Sequence, residues 1–433
     1  MVGVTSNPSI FQKAIGNSDD YDDTINNLLD LEAEEIYERL AIEDIQQASD
    51  MFRPIYDNTD GRDGYVSLEV SPNLAHDTDS TIAEAKRLYE AVDRPNVMIK
   101  IPATPEGIPA IEETIASGIN VNVTLIFAVE NYKQVAEAYI KGLERRLEAG
   151  ESVVKIASVA SFFLSRIDTL VDRMLDSNIH TAKMKGDSSR VAANSKLLGK
   201  AAIANAKLAY KHFKDIFEGE RFAKLRDAGA SVQRPLWAST STKNPAYADT
   251  KYVDNLIGAH TVNTMPPETL EAFKDHGKVA ETLIDGIDSI EDTLDMLVEV
   301  GIDMQQVTRR LQDDGVDAFK EAFDELLTQV EAKRTMLKTG LAYKYNLALG
   351  IYAQDYADTM KRLEREFVAS RIWNQDGSLW KDNGPLIARI ENRLGWLDVL
   401  DTIDYDRLQA LQDDIKASDF EYIILLGMGG SSL

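Results

Sequence analysis

Short apolar runs alternate with segments of helical periodicity along residues 1–335. The runs fall at Val2–Thr5, Tyr65–Ser71, Asn96–Pro102, Ile119–Phe127, Ser152–Ser158, Arg234–Ser239 and His260–Thr264. Between them, Ile82–Ala91, Ile108–Ser117 and Glu130–Ala149 repeat apolar residues at the spacing of one helix face. This alternation predicts an α/β fold with a parallel sheet and helical crossovers. Its length predicts a (β/α)8 TIM barrel, which closes with eight strands. The runs number seven and the first begins at residue 2, so the barrel is expected to lack its first strand, as in a fragment or a chain with a mis-assigned start codon.

Three runs share a finer pattern. In YVSLEVSP, Val66, Leu68 and Val70 oppose Ser67, Glu69 and Ser71. In NVMIKIP, Val97, Ile99 and Ile101 oppose Met98 and Lys100, and in INVNVTLIF, Val121, Val123 and Leu125 oppose Asn120, Asn122 and Thr124. A parallel strand buried on both faces should be apolar throughout. Here one face suits a ring of helices, while the polar face marks a barrel interior that carries a site.

Residues Val279 to Lys333 read as helical. A second region, 340–433, is helical between Tyr345 and Phe367, and two tryptophans flank a turn at Trp373–Gly384 that is expected to pack against something. It ends in YIILLGMGGSSL, an apolar strand followed by a glycine-rich loop. No internal repeat or low-complexity stretch occurs.

Composition narrows the chemistry. With 44% hydrophobic and 27% charged residues the 433-residue chain is globular in type, and no apolar run is long enough to span a bilayer. The N-terminus lacks the basic and apolar regions of a secretory signal. The absence of cysteine excludes disulfides, thiolate nucleophiles and Cys-bound metals within the chain, and fits a cytoplasmic setting. The five histidines offer no helical pair for zinc. A net charge of −25 disfavours nucleic acid and means that any anionic substrate needs a local positive pocket. A membrane partner is not expected, and homo-oligomerisation is left open.

Lys100 sits in mid-strand among apolar neighbours. Burial disfavours the ammonium, and a neutral amine can attack a carbonyl to form an imine; the competing reading is a lysine paired with a carboxylate. Glu69 holds the matching position on the preceding strand, fit either to shuttle protons through a water or to bridge Lys100. Asn7, Asn122 and Thr124 are short polar groups that suit hydroxyls or a water, or satisfy turns and barrel hydrogen bonds. Ser161 and Arg166 are expected to start the helix after the Ser152–Ser158 strand, and Ser239, Ser241 and Lys243 follow RPLWA. Hydroxyls and cations at strand ends suit a phosphate; capping and surface charge are the alternatives.

TSNPSIF, SLEVSP, VMIKIPAT, NVTLIF, SFFLSRID and RPLWASTSTKNPAY occur in one chain, in that order. Together they resemble the motifs of the transaldolase family over residues 1–335. The resemblance implies that Lys100 is the Schiff-base nucleophile and that Glu69 and Thr124 position and activate the catalytic water. It implies that Asn7, Asn122 and Ser161 hold a dihydroxyacetone unit, and that Arg166, Ser239 and Lys243 bind the phosphate. Short transaldolases place an arginine where this chain has Ser241 and then Lys243, so the chain looks like the longer bacterial type. The family also carries an acid/base aspartate on its first strand, which no residue here matches.

Residues 340–433 resemble the start of glucose-6-phosphate isomerase, and GMGGSSL is similar to its sugar-phosphate loop. Glycines there let backbone N–H groups approach an anion, with Ser431 and Ser432 beside them. The whole looks like part of a bifunctional transaldolase/phosphoglucose isomerase, with a truncated SIS-like domain from which isomerase activity is not expected. The implied activity is transfer of a dihydroxyacetone unit between sugar phosphates in the pentose phosphate pathway. Sedoheptulose 7-phosphate and glyceraldehyde 3-phosphate would give erythrose 4-phosphate and fructose 6-phosphate. The imine is its own electron sink, so no cofactor or metal is expected. The rival readings are a class I fructose-6-phosphate aldolase using the same lysine, and a non-catalytic sugar-phosphate-binding remnant.

Overall fold

The computed structural model describes residues 1–16, 18–339 and 353–418. The chain divides into two compact units, Met1–Lys344 and Tyr345–Leu433. The first opens with β1 (Gly3–Thr5), α1 (Pro8–Gly16), α2 (Asp22–Asn26), α3 (Ala33–Asn58), β2 (Tyr65–Glu69), α4 (Thr78–Val92), β3 (Val97–Pro102), α5 (Gly107–Ala116), β4 (Val121–Ile126) and α6 (Val129–Glu148). It continues with β5 (Ser158–Phe163), α7 (Ser165–Met184), α8 (Ser188–Ser195), α9 (Ala201–Phe217), α10 (Glu220–Asp227), β6 (Arg234–Ala238), α11 (Lys251–Asp254), β7 (Val262–Asn263), α12 (Pro267–His276), α13 (Ile290–Glu299) and α14 (Met304–Thr339). The seven strands form one parallel sheet in sequence order, a curled partial barrel of the TIM type.

Each element has a local cause. α4 starts where the Asp77 side chain accepts from Ser80 N at 3.0 Å, and it stops at Asp93, whose φ of +48° is left-handed. α3 opens on a reciprocal capping box between Glu32 and Glu35. α6 buries Val135, Tyr139 and Leu143, four residues apart, as one face. The β3, β4 and β5 strands are buried at every position, as expected of strands covered on both sides.

Three expectations are corrected. The fifth strand is Ser158–Phe163, not Ser152–Ser158: Lys155 turns the chain at φ +64°, Val154 is exposed, and the continuous apolar run SVASFF takes the sheet position. Ser161 therefore lies within β5, and the following helix starts at Ser165. The helical stretch expected across Val279 to Lys333 is broken before α13 by turns and after it by Gly301 at φ +89°. The strand β4 carries a bulge between Val123 and Ile126, where Leu125 adopts φ +58°, so Leu125 leaves the outward row of Val121 and Val123.

In the second unit the described helices are α15 (Ala353–Arg365), α16 (Val368–Trp373), α17 (Gly384–Glu391), α18 (Val399–Thr402) and α19 (Tyr405–Ala417). Asn383 and Asp404 cap α17 and α19 through bonds from Leu386 N and Arg407 N. Trp373 and Trp380 are exposed at 66% and 46%, while the turn between them packs against α16 and α17, with Gly377 buried. The strand and loop expected in YIILLGMGGSSL lie outside the described residues. Among the described residues no helix is long and apolar enough to cross a membrane.

One backbone approach fixes how β1 joins the sheet. Gly64, at φ +86°, donates its N–H to Val2 O at 2.7 Å, and a Cβ there would meet Tyr56 N at 2.4 Å. Gly64→Ala should lower the unfolding free energy by about 3 kcal/mol, combining left-handed strain with a backbone clash. Gly150→Ala, at φ +77° with nothing within 4 Å, should cost only about 1 kcal/mol. Urea midpoints of the two variants check this; equal losses would contradict it.

Candidate active site

Register brings the inward polar residues to one level. Glu69 pairs with Lys100, and Lys100 with Asn122, across β2, β3 and β4. The Lys100 Nζ donates to Glu69 Oε2 and to the Ser6 carbonyl, both at 2.8 Å. Both side chains are nearly closed to solvent, at 6% and 7% exposure. Both readings of this lysine thus meet at one place, since the candidate nucleophile is also ion-paired. Burial pushes the Glu69 carboxyl above its usual range, against the pull of the Lys100 charge and hydrogen bond. The proton that Lys100 must lose before attack therefore has a receptive acceptor in contact.

From this pair a hydrogen-bonded chain runs round the interior. Ser6 Oγ donates to Ser67 O at 2.7 Å. Asn122 Nδ2 donates to Ser67 Oγ at 3.0 Å, and Ser161 Oγ donates to Asn122 Oδ1 at 2.7 Å. Ser67 and Ser6 were not singled out from the sequence. The alternation in YVSLEVSP marks Ser67 as inward, but nothing local marks the carbonyl of Ser6. Thr124, two residues beyond Asn122 on β4, is buried, and among the described residues its hydroxyl has no hydrogen-bond partner. Asn7 lies just past β1, where its Oδ1 accepts from Ile10 N at 2.9 Å and caps α1. Among the described residues its amide nitrogen makes no hydrogen bond.

At the far side Arg166 is the second residue of α7. Its guanidinium lies 6.0 Å from the Phe163 ring and, among the described residues, makes no hydrogen bond or ion pair. Burial lowers its pKa, and the Asp314 carboxylate opposes that shift. Ser239, at φ +54°, joins the start of this helix: its hydroxyl lies 2.8 Å from Ser165 Oγ, and its carbonyl accepts from Ser165 N at 3.1 Å. Lys243 stands exposed on the loop beyond β6, and its Nζ donates to Ser241 Oγ at 2.8 Å. The structure thus joins Ser239 to the Arg166 helix and leaves Ser241 and Lys243 paired with each other.

Helix α14 lies over these residues and was not anticipated as part of the site. Gln312 donates to Ala103 O at 2.9 Å, to Leu125 O at 3.1 Å and to Asn131 Oδ1 at 3.1 Å, latching the helix to the ends of β3 and β4. Two turns on, the Phe319 ring centroid lies 5.9 Å from Lys100 Nζ. The Tyr37 ring sits edge-on to Phe11 and Phe323, at 5.7 and 5.5 Å, and packs α14 against α1 and α3. Periodicity shows that this helix has an apolar face; it does not show what the face covers.

Comparison with known proteins finds the same architecture of motifs elsewhere. The family described as Transaldolase/Fructose-6-phosphate aldolase matches residues 1–330. A transaldolase of Trichodesmium erythraeum is 48% identical over 335 residues, covering 76% of this chain and 87% of the relative. One of Mycolicibacterium smegmatis is 47% identical over 336 residues, covering 77% and 88%. Transaldolase 1 of Streptomyces avermitilis is 49% identical over 333 residues, covering 76% and 85%.

The buried pair makes a thermodynamic prediction. Removing one partner strands the other charge, so Glu69→Leu or Lys100→Met alone should each destabilise the fold by about 3 kcal/mol. The double variant should cost well under the sum, leaving a coupling of about 1 kcal/mol or more. A denaturation cycle measures it, and additive losses would show the two groups to be energetically independent.

Proposed function

Since the chain belongs to the Transaldolase/Fructose-6-phosphate aldolase family, we propose that it is a transaldolase whose Schiff base forms on Lys100. It is thus a transferase acting on sugar phosphates. The observation that carries the assignment is a lysine buried inside the sheet, in contact with a buried carboxylate and beside the polar chain of Asn122 and Ser161.

In the proposed mechanism Lys100 Nζ, its proton passed to Glu69, adds to the ketose carbonyl carbon. Glu69 then acts through a water held with the Thr124 hydroxyl, and loss of water from the adduct gives the imine. The hydroxyl two carbons beyond the imine carbon gives its proton to a water in the site, the bond joining its carbon to the three-carbon unit breaks to release an aldose phosphate, and the electron pair of that bond moves into the imine as an enamine. The retained three-carbon unit is held by Asn7, Asn122 and Ser161. It adds to the aldehyde of a second aldose phosphate, and hydrolysis frees the new ketose phosphate. Arg166, with Ser239 and Lys243, receives the phosphate, the open donors of Arg166 being the strongest support for that role. The proposed exchange is between sedoheptulose 7-phosphate with glyceraldehyde 3-phosphate and erythrose 4-phosphate with fructose 6-phosphate. A class I aldolase would use the same lysine and release free dihydroxyacetone whether or not an acceptor aldose is present.

We further propose that residues 1–335 form the transaldolase barrel and residues 340–433 the N-terminal part of a glucose-6-phosphate isomerase-like domain. The support for the latter is the sequence resemblance of its last segment. An assay for glucose 6-phosphate formed from fructose 6-phosphate tests it. Turnover that persists in Lys100→Arg would place isomerase chemistry outside the barrel; none in the intact chain would confine the resemblance to fold.

Borohydride added with fructose 6-phosphate should trap a three-carbon adduct on Lys100. Lys100→Arg should lose the adduct and about 10⁴-fold or more of the transfer rate. An adduct that still forms in that variant would overturn the assignment.

A further inference from the structure

Asp168 and Asp172 lie one turn apart on α7, both are buried, and the proposed chemistry uses neither. Burying two carboxylates is unfavourable unless each finds donors. Here every oxygen has one. Asp168 Oδ1 accepts from Ala202 N at 2.8 Å, and its Oδ2 accepts from Lys251 Nζ at 2.7 Å and from Tyr252 Oη at 2.9 Å. Asp172 Oδ1 accepts from Gly199 N at 2.8 Å, and its Oδ2 accepts from Tyr247 Oη at 2.6 Å. The Lys251 ammonium also lies 3.9 Å from the centroid of the Tyr247 ring. A buried network with every member satisfied holds those members in one arrangement.

What it holds is the segment after β6. Ser239 touches the start of α7, its hydroxyl 2.8 Å from Ser165 Oγ. Tyr247 reaches the same helix two turns on, at Asp172. Residues 240–246 thus form an arc tied to α7 at both ends. The ties are about 10 Å apart along the helix, and the chain from 239 to 247 extends at most about 28 Å, so the middle of the arc lies within about 14 Å of a tie. Thr242 draws it in further, its hydroxyl donating to Ala248 O at 2.9 Å. The arc carries Ser241 and the exposed Lys243, and it is anchored on the helix whose second residue is Arg166. The Arg166 N–H fork is half-buried beside the Phe163 ring, and α14 packs so close that a Cβ on Gly315 would lie 3.8 Å from Nη1. The two lysines of the segment differ in kind. Lys251, at 12% exposure, is engaged with Asp168 and cannot turn to a ligand without stranding that acid, whereas Lys243 stands out on the arc.

We propose that Tyr247 is a positioning residue for substrate binding: its bond to Asp172 holds the 240–246 arc on α7, so that Lys243 and Arg166, from two different elements, bind the same phosphate. This rests on the reading of Arg166 and Lys243 as phosphate ligands and adds what brings them together. Lys251 and Asp168 secure the chain just beyond the arc. Among the described residues no member of the network bonds Lys100, Glu69 or Asn122, so the imine end is untouched.

The test measures inorganic phosphate binding by calorimetry in the full chain and in Tyr247→Phe, Lys243→Ala, their double variant and Thr242→Val. Lys243→Ala should weaken binding about tenfold, the scale of one charge-assisted hydrogen bond, and Tyr247→Phe at least about fivefold. Because Tyr247 acts through Lys243, the double variant should stay within about twofold of Lys243→Ala. In turnover the loss in Tyr247→Phe should fall on the KM for fructose 6-phosphate, with kcat within about twofold of the parent. Thr242→Val loosens the arc away from the buried acids and should weaken phosphate binding about threefold. Should Tyr247→Phe not fold, Thr242→Val carries the same cycle with Lys243→Ala. Borohydride trapping of unphosphorylated dihydroxyacetone on Lys100 should hold within about twofold in every folded variant. Losses that simply multiply in the double variant overturn the proposal, as does unchanged phosphate binding in both Tyr247→Phe and Thr242→Val. Trapping that falls in step with phosphate binding in a folded variant also overturns it, because the bond would then serve the fold as a whole. Unchanged binding in Lys243→Ala removes the ligand reading and this inference with it, whereas multiplying losses leave the ligand reading standing.

Discussion

A buried ammonium group must be solvated by the protein, and that requirement organises the first unit. Lys100 lies where a parallel strand should be wholly apolar. Its charge is met by one carboxylate from β2 and one carbonyl just past β1. Those acceptors hold their place only if the strands keep their register, because a slip of one residue would turn Glu69 outward and Leu68 inward. Ser67, Asn122 and Ser161 extend the same obligation to β4 and β5, each using a neighbour to satisfy a group that water cannot reach. The polar layer is a specificity device for the sheet as well as a site, since a half-satisfied network would be worse than an apolar core.

Much of this layer was legible in the chain because a strand has a period of two. The alternation in YVSLEVSP and NVMIKIP places Glu69 and Lys100 on the inward face, and the structure pairs them. Arg166 and Ser239 were found from their position after strands, and they come together at the start of α7. What escaped was whatever depends on contacts distant in sequence. Val153 and Val154 carry the composition of a strand, yet the sheet position went to the more continuous apolar run that follows. Leu125 fits the outward row of β4 by parity, and a bulge removes it from that row. Ser6 acts through its carbonyl, which no side-chain pattern reports. In α14, Gln312, Gly315 and Phe319 share a face, but their meaning depends on strands some 200 positions away, as the separation of 209 between Gln312 and Ala103 shows.

The two ends of the site are built on different principles. At Lys100 the protein supplies two acceptors, Glu69 and the Ser6 carbonyl, so the amine is already engaged before a substrate arrives. At Arg166 the described residues supply no hydrogen bond or ion pair, and the guanidinium lies beside the Phe163 ring. An open fork favours capture of an anion, and an amine engaged by a carboxylate and a carbonyl resists unproductive chemistry until a substrate carbonyl is held beside it. Helix α14 spans both ends, with Phe319 over one and Gly315 over the other, so a displacement of this single element would alter both.

The bond from Lys100 to the Ser6 carbonyl also has a bearing on local stability. β1 has three residues and stands at the end of the strand order, tied to its neighbour by a short ladder and by the Gly64 contact. Short terminal strands are among the first parts of a fold to open, at a free energy well below that of global unfolding. Each such fraying event would withdraw one of the two acceptors of the nucleophile while the rest of the sheet stays intact. The fraction of molecules with an aligned lysine would then depend on the fluctuation of a three-residue strand. Warming would erode that fraction before any loss of helix or of compactness could be detected.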